Sequence, residues 1–160
     1  MAEVSFYILP TESLEDRHLF ACKLIEKAYR SGSFCYVLTD SAEQSRIIDD
    51  LLWTFRAGSF IPHQIYTGEP PDIARDGVYA ADSPGASAAT EKTVLIGSLN
   101  APDNWQKILF NLSSRYPEVG PQTERILEIL DNSETTKAAG RDRYRRYQQS
   151  GMKVVTHKDW

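Results

Sequence analysis

Two short apolar segments, residues 4–9 (VSFYIL) and 34–39 (FCYVLT), are each followed by apolar residues at helical spacing, and this alternation most constrains the fold. Pro10 closes the first segment. Thr11 or Ser13 then supplies a cap, Glu15 and Asp16 suit the positive end of a helix dipole, and Leu14, Phe20, Leu24, Ile25 and Ala28 recur until Gly32. After the second segment, Asp40 or Ser41 caps a helix carrying Ile47, Ile48, Leu51 and Leu52. A β-α-β-α order makes the strands parallel and lays the crossover helices on the sheet. The expected fold class is therefore α/β: a single open, mostly parallel sheet with helices on both faces.

The rest of the chain extends this pattern. Residues 60–65 read as a short strand that Pro62 places at an edge or a strand start, and residues 93–96 as another strand. Trp105, Ile108, Leu109 and Leu112 predict a helix after an Asp103 or Asn104 cap. Residues 125–130 fit helical spacing too, but the run is short and flanked by turn residues, which favours a strand. A last helix runs from about Ser133 to Gln149, with Gly151 in the position just past its end. Residues 67–92 hold Pro70, Pro71, Pro84 and a run of small residues, as in a long flexible loop. No repeat is visible, and residues 1–160 suffice for one domain.

Several function classes lose support at this level. The first strand-to-helix turn, where nucleotide-binding folds place glycines around a phosphate, has no glycine and carries Glu12, Glu15 and Asp16. No P-loop sequence occurs anywhere. His18, His63 and His157 are scattered, and Cys22 and Cys35 form no Cys-x-x-Cys pair, so no metal is expected. His63, beside Pro62, reads as a hydrogen-bonded structural residue. No nucleophile elbow is present, and no catalytic residue or cofactor is nominated. Two cysteines, no apolar run of about 18–20 residues and no secretory leader predict an unanchored cytoplasmic protein.

The formal charge of −4 hides an asymmetry. Residues 131–160 hold seven Lys/Arg against four Asp/Glu, whereas residues 1–130 hold 11 against 18. At about 100° per residue, Lys137, Arg141, Tyr144 and Gln148 share one stripe of the last helix with Arg145 beside them, and Leu130 and residues 152–155 could supply an apolar floor. Arginine beside an apolar recess suits a peptide ending in a large hydrophobic residue, because the guanidinium takes the α-carboxylate while the side chain is buried. A solvated basic helix is the competing explanation. A nucleic-acid patch is another, opposed by Asp142 and by confinement of the charge to one helix. A second cluster, Trp53, Phe55 and Phe60 around a glycine turn, reads either as an aromatic partner surface or as packing beneath a loop.

These two segments are where the chain resembles the chi subunits of bacterial DNA polymerase III, accessory proteins of the clamp-loader complex. The resemblance is carried by Phe6, Tyr7, Ile8 and Leu9; by Leu52 and Trp53 with Ser59, Phe60, Ile61, Pro62 and His63; and by RDRYRRY at 141–147 followed by Gly151. It implies a non-catalytic α/β adaptor, nucleotide-binding-like in topology but without a phosphate loop, that joins the clamp loader, through the psi subunit, to the acidic C-terminal tail of single-stranded DNA-binding protein. Carried over position by position, the tail site falls on Leu130, Lys137, Arg141, Tyr144 and Arg145, and the surface for psi or a competing helicase partner on Trp53 and Phe60. The stretch 115–122 is extended, and Gly140 stands where a better helix former is expected. A small nucleotide-dependent enzyme on the same fold and a direct nucleic-acid binder using the basic helix are the alternatives.

Overall fold

The computed structural model describes residues 2–32, 34–56, 58, 60–68 and 93–157. Among these, seven strands form one sheet: β1 (Glu3–Ile8), β2 (Cys35–Leu38), β3 (His63–Ile65), β4 (Val94–Gly97), β5 (Ile108–Asn111), β6 (Arg125–Leu130) and β7 (Lys153–His157). Their order is β3-β4-β2-β5-β6-β1-β7, and every pairing is parallel. Helices α1 (Leu14–Arg30) and α2 (Ala42–Thr54) pack on one face, where Ala21, Cys22, Ile25, Ile48 and Leu52 meet Val37, Ile96, Phe110 and Ile129. Helix α3 (Glu134–Gln149) covers the other, burying Tyr147 against Val4, Phe6, Ile126 and Leu130. The α/β expectation holds. From residue 69 onward, the loop expected over 67–92 lies outside the described residues.

Helix limits follow the expected caps. Ser13 accepts from the Asp16 amide, Ser41 from Gln44 and Ser133 from Thr136. The end of α3 is a Schellman motif: Gly151 at φ 81° donates to Gln148 O, and the Met152 amide to Tyr147 O. In the β1–α1 turn, the Thr11 hydroxyl accepts from the Ser13 amide and donates to the Asp16 carboxylate. Two amide donors of the turn, those of Ser13 and Asp16, are thus taken by its own side chains.

One expectation is corrected. The helix predicted around Trp105, Ile108, Leu109 and Leu112 is a single 3-10 turn, Asp103–Trp105, followed by β5. All four β5 residues are buried, because β5 lies between β2 and β6 with both faces covered. Its first three residues are consecutively apolar and show no alternation, so their spacing imitated a helix. β7 had no strand expectation either; it is a half-exposed edge beside β1.

Buried His18 of α1 makes the fold sensitive to acid. Gln44 Nε2 lies 3.2 Å from both His18 Nε2 and the Leu112 carbonyl, an arrangement that suits a neutral ring accepting from the amide. Burial, reinforced by the Arg17 charge, lowers its pKa from 6.5 to about 4. The unfolded chain therefore takes up this proton below pH 6.5, and the folded protein only near pH 4. Stability from this residue is intact above pH 6.5 and falls towards pH 4, by at most about 1.4 kcal/mol per pH unit. Denaturant midpoints measured across that window should decline less steeply in a His18→Gln variant.

Candidate functional site

Helix α3 crosses the sheet over β6 and β1, and Gly140 sets how closely. A Cβ built at Gly140 would lie 2.5 Å from Leu130 Cδ1, so the glycine that looked costly on helix propensity is a contact point between helix and sheet. Beside this contact opens a groove of about 870 Å³. Phe6, Ile8, Leu9, Pro10, Leu130 and Tyr144 supply its apolar wall, and Lys137, Arg141, Arg145, Gln148, Asn132 and Thr156 its polar rim. Phe6 and Tyr144 pack with ring centroids 5.4 Å apart.

The structure thus brings Leu130, Lys137, Arg141, Tyr144 and Arg145 around one recess. One detail differs from expectation. Beside Leu130 the floor comes from β1 and its following turn, not from residues 152–155, because β7 pairs alongside β1 while Met152 and Val154 pack against the core. Leu130 is 2% exposed, so it forms the base of the recess.

The cations of α3 divide into three kinds. Arg143, 3% exposed, points away from the groove to Glu128 of β6, which is fully buried. Its Nε and Nη2 donate to Glu128 Oε2 and Oε1 at 2.9 and 3.0 Å, and its Nη1 donates to Ser114 O at 3.0 Å. Tyr147 and Asn111 also donate to Glu128, at 2.7 and 2.9 Å. Burial, together with the Glu128 charge, holds the Tyr147 phenol protonated far above its usual range. Arg146 stacks over Tyr116, 4.0 Å from the ring centroid. Lys137, Arg141 and Arg145 remain on the groove. The dense basic segment of the sequence therefore presents fewer charges to a ligand than its count implies. Sequence reasoning missed the Glu128 hub, although a lone acid inside the apolar run 126–130 was a signal of a buried partner.

The second cluster lies at the opposite edge of the sheet. Trp53 and Phe60 are 59% and 80% exposed, while Phe55 packs against the core. The Trp53 ring rests 4.6 Å from that of His63. His63 Nδ1 lies 2.6 Å from the Ile61 carbonyl, and its Nε2 lies 3.0 Å from the Asp49 carbonyl and 3.3 Å from the Asp49 carboxylate. That histidine is a buried support for the exposed indole. Among the described residues, no group of three or more His, Cys, Asp or Glu could hold a metal ion, and no helix is long and apolar enough to cross a membrane.

Residues 1–155 match the family described as DNA polymerase III chi subunit, HolC. The chain is 30% identical over 159 residues to DNA polymerase III subunit chi of Pseudomonas aeruginosa, covering 99% of this chain and 97% of that protein. It is 20% identical over 160 residues to the Escherichia coli K12 subunit chi, covering 98% and 97%. In fold it is similar to T4 UvsW (TM-score 0.65, 10% identity, 99% of this chain and 41% of the other). It is also similar to domain 2 of the DEAD-box helicase Mss116p bound to an RNA duplex (TM-score 0.54, 11% identity, 99% and 65%).

Proposed function

The chain belongs to the DNA polymerase III chi subunit family, and from that premise we propose that it is a non-catalytic adaptor of the replicative polymerase. In this reading it is cytoplasmic. It links the clamp loader, through psi, to the C-terminal tail of single-stranded DNA-binding protein. One observation carries the reading: Arg141, which forms no ion pair among the described residues, stands on the rim of an apolar recess based on Leu130 and walled by Tyr144. A terminal aromatic side chain would fill the recess while Arg141 takes the α-carboxylate. Lys137 and Arg145 would attract acidic residues upstream. Trp53 and Phe60 would serve psi or another partner, and their place at the other sheet edge leaves the two contacts free to form together.

The reading is tested by binding to single-stranded DNA in three states: bare, coated with intact single-stranded DNA-binding protein, and coated with the same protein lacking its tail. Retention on the intact coat alone is expected. Equal retention on bare DNA, with a steep salt dependence, would favour direct nucleic-acid binding by α3 instead.

A further inference from the structure

The three cations on the groove are not equally available. Lys137 Nζ lies 3.3 Å from Glu134 Oε1, and Arg145 Nη1 lies 3.3 Å from Asp142 Oδ1, each pair three positions apart on α3. Arg141 is uncommitted among the described residues. Counting Lys137, Arg141 and Arg145 against Glu134 and Asp142, an arriving acidic peptide meets a net charge of +1 instead of +3.

We propose that Glu134 and Asp142 are built-in competitors of the ligand's acidic residues, holding Lys137 and Arg145 until a peptide displaces them and so setting how much upstream charge contributes to binding. The inference rests on the tail-binding reading above. Both acids project into solvent, their side chains 85% and 75% exposed, and no other side chain among the described residues bonds to them. Glu134 has a second role at the first position of α3, where an acid favours the helix dipole. Asp142 sits mid-helix and has no such role, which makes it the cleaner probe.

On this account a terminal carboxylate meets Arg141 without competition. Carboxylates further upstream gain only the difference between their own attraction and that of the resident acid. The occupant is thereby graded by charge: a peptide with a free end and an apolar last residue binds through the recess, and each upstream acid adds a small increment that salt erodes.

The test uses the intact protein, its Asp142→Asn variant and the Glu134→Gln/Asp142→Asn double variant. Each is titrated with two synthetic peptides of the tail, one natural and one with its upstream acids replaced by asparagine, both keeping the terminal residue and free carboxylate. The double variant is expected to bind the natural peptide roughly 3- to 10-fold more tightly at low salt. Its affinity for the neutralised peptide should change by less than about twofold. No gain, or an equal gain for both peptides, overturns the proposal while leaving the tail site standing. If the wild-type protein binds neither peptide, the tail-binding reading fails and the proposal falls with it.

Discussion

Replacing Arg143 with alanine is expected to lower the free energy of unfolding by about 3–5 kcal/mol, the cost of leaving a buried charge without its partner. Glu128 is fully buried and accepts from three side chains, Arg143 by both arms of its fork. Without Arg143 its carboxylate keeps two neutral donors and loses its counter-charge. Glu128→Ala should cost a similar amount, because the guanidinium is then buried alone. A Glu128→Leu/Arg143→Met double variant should be more stable than either single charge deletion, since removing both charges also removes the need to desolvate them. Urea denaturation of the four proteins checks this. Additive losses in the double variant would mean that the pair is not coupled through burial.

Arg141→Ala is expected to leave the urea midpoint nearly unchanged, because this side chain is exposed and makes no ion pair among the described residues. Its effect should fall on binding instead. Losing a charge-assisted contact to a terminal carboxylate weakens the tail complex by about 1.5–3 kcal/mol, or roughly 10- to 150-fold. Trp53→Ala, at the far edge of the sheet, should leave tail affinity alone. The contrast between Arg143 and Arg141, two positions apart, distinguishes a residue that holds the fold from one that faces a partner.

That contrast also marks how far the sequence could be read. β1, β2 and their helices were legible because capping residues, β-branched runs and helical spacing all agree locally. The stripe of Lys137, Arg141, Tyr144 and Gln148 was legible because a helix of 16 residues keeps its phase, and the structure places all four on the groove. β5 was not legible, since burial on both faces erased the alternation that marks a strand. The floor of the groove was not legible either. Phe6, Ile8 and Pro10 reach Leu130 only because β1 pairs with β6, a contact between segments more than 100 residues apart. Gly140 was legible as an anomaly but not as a contact. Propensity gives its cost in a helix, whereas its reason, the approach of Leu130, exists only in three dimensions.

The most direct test of the groove is a calorimetric titration of the wild-type protein with the tail peptide carrying a free C-terminal carboxylate and, separately, with the same peptide capped as a carboxamide. Recognition of a chain end by Arg141 above the Leu130 recess predicts at least about tenfold weaker binding of the carboxamide. Equal affinity for the two peptides would contradict it.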